Sequence, residues 1–196
     1  MFEQIENKPL RRRILWTAPL VMAGIAALTL RKFRATGDTV PNSATGEEVE
    51  IGEFNNSGER VNTTRVKKIV RSDSEWWPRL TPQQYYVTRK HSTDTPFTGT
   101  YYQLHQAGIY RCICCDTAVF HSKAKYDSGT GWPSFWEPIA KENVRTSGDP
   151  KENLDIGIDV MCKRCDAHLG HIFNDGPQPS GLRYCINESS LRFVPA

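Results

Sequence analysis

Residues 154–171 read LDIGIDVMCKRCDAHLGH, and the pattern in this stretch decides the fold. Leu154, Ile156, Ile158 and Val160 alternate with Asp155, Gly157 and Asp159, the period-two signature of a strand buried on one face. The alternation returns in Leu182-Arg183-Tyr184-Cys185-Ile186-Asn187, and Leu191-Arg192-Phe193-Val194 follows after a break. Helical periodicity is scarce. One short helix is signalled where Thr81 offers an N-cap, Pro82 a first helical residue and Gln84 the partner of a capping box. Short strands separated by Gly, Pro, Asn and Asp predict a mainly β domain with antiparallel pairing.

The same stretch contains Cys162-x-x-Cys165, and a second knuckle, Cys112-x-x-Cys115, lies upstream. A tight turn of this spacing aims two thiolates at one tetrahedral ion, and two such turns complete a four-sulfur site, with zinc the expected metal. The long interval from Cys115 to Cys162 means that the metal would staple two distant strands of a small β domain. Disulfides or redox C-x-x-C pairs are the competing reading, and an exported location would favour oxidation. Cys114 is left over beside the first knuckle, because adjacent cysteines cannot readily point at one ion.

Cys185 belongs to neither knuckle. Alternation puts Arg183, Cys185 and Asn187 on one strand face, with Leu182, Tyr184 and Ile186 turned to the core. A thiol flanked by a cation and an amide is expected to have a lowered pKa. His168 and His171 follow the second knuckle, so a metal there would fix their position; each could equally be a satisfied structural residue. The loop Gly129-Thr130-Gly131-Trp132-Pro133-Ser134-Phe135-Trp136 carries three aromatics. It reads either as a core-covering turn or as a rigid apolar wall, with Trp132 and Phe135 as candidate substrate-pocket residues.

The formal charge of +3 is unevenly spread. Residues 1–34 hold seven Lys/Arg against Glu3 and Glu6, a local +5 that leaves −2 for the rest. A near-neutral main body argues against nucleic-acid binding, which needs a clustered basic footprint. Residues 14–30, ILWTAPLVMAGIAALTL, are uncharged and bracketed by Arg11-Arg12-Arg13 and Arg31-Lys32. They are expected to form an N-terminal hydrophobic helix that anchors the chain in a membrane, at the short end of the spanning range. A cleaved signal is the alternative, disfavoured because no clear A-x-A site follows and the far flank is basic. A buried amphipathic helix fits less well, since the run has no polar stripe. The anchor is expected to leave the catalytic domain on the exported, periplasmic-type side. Residues 35–60 are rich in Gly, Ser, Asn, Thr and Glu and are expected to be a flexible linker. The catalytic domain would then occupy 61–196.

Residues 66–196 resemble the B-type methionine sulfoxide reductase family. The resemblance is carried in order by Leu80-Thr81-Pro82-Gln83-Gln84-Tyr85, Pro96-Phe97-Thr98-Gly99, Tyr126-Asp127-Ser128-Gly129, Gly131-Trp132-Pro133-Ser134-Phe135, His168-Leu169-Gly170-His171 and Arg183-Tyr184-Cys185-Ile186-Asn187. It implies two antiparallel sheets with a few peripheral helices, and reduction of methionine-R-sulfoxide in proteins or peptides. It also implies Cys185 as nucleophile, Arg183, Asn187, His168, His171 and Asp175 as polar active-site residues, and Trp132 as the wall for the substrate methyl group. Cys112, Cys115, Cys162 and Cys165 match its structural zinc ligands. One departure stands out: Thr130 occupies the position where members that form an internal disulfide place a resolving cysteine. An external thiol, from a small molecule or a thioredoxin-like protein, is therefore the expected reductant, and a monomer the expected form. Two rival functions are a zinc-stapled binding module without catalysis and an oxidoreductase that uses its C-x-x-C pairs.

Overall fold

The computed structural model describes residues 46–149 and 157–196. The expected N-terminal helix and residues 35–45 of the expected linker lie outside these residues, as does the start of the strand foreseen from Leu154. No helix among the described residues is long and apolar enough to cross a membrane.

The described strands are β1 (Glu48–Phe54), β2 (Arg60–Lys67), β3 (Gly108–Cys112), β4 (Ala118–His121), β5 (Lys125–Tyr126), β6 (Ser134–Phe135), β7 (Val144–Thr146), β8 (Ile158–Cys162), β9 (His168–Phe173), β10 (Arg183–Ile186) and β11 (Leu191–Pro195). The helices are α1 (Asp73–Trp76) and α2 (Pro82–Lys90), joined by short 3-10 turns elsewhere. In α2 the Thr81 hydroxyl accepts from the Gln84 backbone and the Gln84 side chain answers the Thr81 N–H, the capping box read from sequence.

The strands form a six-stranded sheet in the order β5-β6-β10-β9-β8-β7, a three-stranded sheet β11-β3-β4 and a β1-β2 hairpin, all antiparallel. The hairpin corrects two expectations: there are three sheets rather than two, and residues 48–60 are structured rather than linker. Glu48-Val49-Glu50-Ile51 alternates, and Val49 and Ile51 are buried; the surrounding Gly, Asn and Ser hid that short period. Asn143 stitches the hairpin to the body. Its Oδ1 accepts from Gly52 N–H at 2.7 Å, while its Nδ2 donates to the carbonyls of Gly52 and Ala118 at 2.8 and 2.7 Å. The amide is fully buried, so it satisfies three backbone groups that would otherwise be orphaned.

The core packs one face of each larger sheet, with Tyr110, Phe120, Phe135, Leu169, Ile172 and Ile186 fully buried. Phe135 stacks on Phe120 with ring centroids 4.5 Å apart and meets Tyr110 edge-on at 5.0 Å. Its assignment to the substrate pocket is therefore corrected. The register Cys185↔Ser134 and Tyr184↔Phe135 gives Ser134 the Cys185 face and turns Phe135 to the core.

Candidate active site

The two knuckles are built alike. Cys112 ends β3 and Cys162 ends β8. In each turn the fifth residue, Asp116 or Asp166, is left-handed (φ 63° and 53°) and donates its N–H back to the first cysteine's carbonyl. Aspartate tolerates that conformation better than most residues. Asp166 is held by Arg145 at 2.7 Å and Lys68 at 2.9 Å, and Asp116 by Arg192. The Sγ atoms of Cys112, Cys115, Cys162 and Cys165 lie within 4.8 Å of one another, with Cys112–Cys165 at 3.7 Å and Cys115–Cys162 at 3.4 Å. Disulfide sulfurs lie at about 2.05 Å, and all six cysteines are free thiols. Sulfurs around a tetrahedral ion with bonds of about 2.3 Å would stand about 3.8 Å apart. The donor set thus fits a metal and tacks the three-stranded sheet to the six-stranded one. Cys114 projects beside this cluster, next to Thr88 and Arg89.

Cys185 sits mid-sheet on β10, directly opposite Ser134 of β6 and His171 of β9. Gly170 makes the approach of β9 possible: a Cβ there would fall on the Cys185 carbonyl oxygen. The sulfur reaches Thr130 Oγ1 at 3.9 Å, and Thr130 continues through the Ser128 hydroxyl (2.8 Å) to Ser134 (2.7 Å). Burial pushes the thiol up, and Arg183 and Thr130 pull it back only in part. The lowering expected from Arg183 is thus present but outweighed.

The sulfur opens into a pocket of about 150 Å³ lined by Thr93, Trp132, His171, Phe173, Cys185 and Asn187. Trp132 is fixed by its indole N–H, which donates to the Asp94 carbonyl at 2.9 Å. Asn187 is fixed from both ends, accepting from Asp94 N–H at 2.9 Å and donating to the Leu169 carbonyl at 3.2 Å. Asp94 thereby positions two pocket walls through its main chain, while its carboxylate is tied down by Gln83 and Ser189. Sequence reading missed it, because its role runs through backbone groups that any residue possesses.

Arg183 lies on the Cys185 face and is gripped by both Asp175 oxygens at 2.8 and 2.9 Å. It also stacks over Phe173, 4.3 Å from the ring centroid. The guanidinium holds the Asp175 carboxyl below its usual range. Asp175 acts on the pocket through Arg183 rather than by lining it.

The two histidines divide. Residues three apart on a regular strand face opposite sides, but the β8–β9 register slips so that Leu169 is an extra residue between Gly170 and His168. This bulge turns both imidazoles towards Asp159, whose Oδ1 lies 3.3 Å from His171 Nε2 and 3.4 Å from His168 Nε2. His171 faces the pocket. His168 is fully buried behind it, with Nδ1 3.2 Å from the Val87 carbonyl and its ring stacked on His91. Burial, helped by the neighbouring imidazoles, holds its pKa down at about 4. His168 is fully buried and does not line the pocket, so His171 is the imidazole that faces it. Asp159 and His91 were not foreseen, since their convergence depends on strand register and on a bulge.

Residues 80–195 match the SelR domain family. The chain belongs to that family. A peptide methionine sulfoxide reductase MsrB of Hahella chejuensis is 52% identical over 131 residues, covering 67% of this SelR-domain chain and 94% of its own length. The MsrB of Pseudomonas aeruginosa is 48% identical over 130 residues, 66% of this chain and 98% of that one. The chloroplastic peptide methionine sulfoxide reductase B1 of Arabidopsis thaliana is 49% identical over 127 residues, 62% of this chain and 59% of its length. The SelR match takes in the nucleophile candidate, both knuckles and every pocket residue described above.

Proposed function

We propose that this chain reduces methionine-R-sulfoxide in oxidised proteins or peptides to methionine, a repair reaction in which Cys185 is the nucleophile. One observation carries the reading: a non-ligand thiol at the floor of a small pocket walled by Trp132, with His171 on the adjacent strand. The substrate's methyl group would lie against the indole, placing the sulfoxide sulfur over the thiolate. Attack forms a bond between the two sulfurs while the sulfoxide oxygen takes a proton, with His171 the nearest group suited to supply it. Arg183 stabilises the thiolate that attacks. Oxygen is then transferred to Cys185, methionine departs with the electron pair, and the enzyme is left as a sulfenic acid. An external thiol condenses with it, releasing water and forming a mixed disulfide. A second thiol equivalent restores Cys185.

The four-cysteine cluster would hold zinc, whose contribution is structural: it clamps the ends of β3 and β8 and sits on no chemical step. The open sulfur geometry supports this against the C-x-x-C redox reading. Residues 14–30 would anchor the chain in a membrane with the domain exported, a reading supported by their uncharged run between basic flanks. The active form would be a monomer. Turnover of separated R and S sulfoxide epimers tests the activity: reduction of the S epimer alone, or of neither, would overturn it. Membrane fractionation and N-terminal sequencing of the mature protein separate an anchor from a cleaved signal.

A further inference from the structure

Three imidazole nitrogens converge on the Asp159 carboxylate. His91 Nδ1 lies 3.4 Å from Oδ2, while His168 Nε2 and His171 Nε2 lie 3.4 and 3.3 Å from Oδ1. These separations are longer than ordinary hydrogen bonds, which close to about 2.7–3.2 Å. The His168–Oδ1 separation is close to the edge of a tetrahedron with metal–ligand bonds of about 2.0–2.1 Å, which is about 3.3 Å.

His168 supplies an independent indication. The Val87 carbonyl can only accept, so the Nδ1 beside it carries the proton and Nε2 presents a lone pair. That Nε2 is fully buried, has no hydrogen-bond partner, and faces a carboxylate oxygen that is also an acceptor. Two acceptors facing each other repel unless a cation lies between them, and the buried Nε2 has no water to turn to. A histidine whose other nitrogen donates to a backbone carbonyl is the usual arrangement of a metal ligand, because that bond fixes tautomer and ring angle. His91 stands across from it, ring centroids 4.7 Å apart, with its side chain half in solvent. It offers an entry path that His168 lacks.

We propose that His91, Asp159 and His168 form a second metal site, distinct from the four-cysteine cluster and selective for borderline divalent ions such as Zn2+ or Co2+. The three candidate ligand atoms lie within 4.8 Å of one another. Two imidazoles and one carboxylate suit such ions, whereas magnesium and calcium would require more oxygen donors. A fourth position stays open for water. Occupancy draws Asp159 away from His171, so the bound ion inhibits the proposed reductase reversibly. That last consequence rests on the proposed activity; the site itself does not.

The test uses the full chain with its four-cysteine site saturated with zinc, dialysed against increasing Co2+ alone. One further equivalent of Co2+ is expected to bind, with visible d–d absorption and without a sulfur-to-cobalt charge-transfer band. His91→Asn is the informative variant, because asparagine tolerates the left-handed backbone at His91 (φ 55°). It should weaken Co2+ binding by at least about tenfold, while leaving the first metal and the melting temperature unchanged. Asp159→Asn should weaken it as well. Absence of a second equivalent, undiminished affinity in both variants, or a thiolate charge-transfer band would each overturn the site. In the sulfoxide assay, Co2+ should inhibit the wild type at concentrations that spare His91→Asn. Cobalt binding without any sulfoxide turnover would refute the reductase reading alone, and turnover insensitive to bound Co2+ would refute the inhibitory role alone.

Discussion

Thr130 Oγ1 lies 3.9 Å from the sulfur of Cys185, so a hydroxyl stands against the nucleophile. A hydroxyl there can hydrogen-bond to the thiol but cannot form a disulfide with it. Cys114, the spare cysteine, is held beside the four-sulfur cluster. One equivalent of methionine-R-sulfoxide without reductant should therefore give a protein heavier by one oxygen, which dimedone traps. Thr130→Cys should convert that product into one lighter by two hydrogens. Intact mass spectrometry distinguishes the two, and a Cys114–Cys185 cross-linked peptide from the wild type would disprove the external-thiol route.

Cys185→Ser should reduce sulfoxide turnover to background while leaving metal content and melting temperature almost unaltered. The sulfur is half-buried at a pocket floor, and its loss removes chemistry with little packing. Retained turnover would move the nucleophile elsewhere.

Serine at Cys112, Cys115, Cys162 or Cys165 should release the metal and unfold or loosen the domain. Structural zinc contributes about 10–16 kcal/mol in small peptides, against about 5–15 kcal/mol of total stability for a typical domain. Cys114→Ser should keep both metal and fold. Metal analysis with thermal melting reads the contrast, and metal loss in Cys114→Ser would reassign the ligands.

The pH profile should carry the mark of Cys185. The reactive form is the thiolate and burial raises the thiol's pKa, so kcat/KM should climb with pH along a limb above that of an exposed thiol. Arg183 favours the charged form. Arg183→Gln should push the limb higher still, and each further pKa unit costs about tenfold in thiolate at neutral pH. A limb moving downward in this variant would contradict the assignment.

The histidines should separate by assay. His171→Ala, at the pocket, should lower kcat with little change in stability. His168→Ala empties a buried site beside Val87 and His91, so it should cost about 2–4 kcal/mol on the scale of large-to-small core substitutions. Trp132→Ala should raise KM through loss of the indole wall. Equal kinetic defects in the two histidine variants, with equal stabilities, would erase the distinction.

Most of this architecture was legible wherever one rule acted locally. Alternation around Ile158–Val160 and Arg183–Ile186 specified strands and put Cys185 on the face away from the core; Thr81 and Gln84 specified the α2 cap. What escaped depends on distant partners. Phe135 could be assigned to the core only once Ser134 was known to pair with Cys185. Asp159 reads as one polar residue of a strand until the Leu169 bulge brings two histidines to it. The β1–β2 hairpin was hidden by linker-like composition, and it is stitched by Asn143, about ninety residues downstream.

Gly170 leaves no side chain between the main chain of β9 and that of β10, so the backbone bearing His171 rests directly on the backbone bearing Cys185. The spacing of the two backbones is thereby a machined clearance, set by the ladder itself. Such a mechanism has no slack to lose gradually. Warming leaves the clearance intact until the ladder parts, and catalysis then fails in one step with the fold.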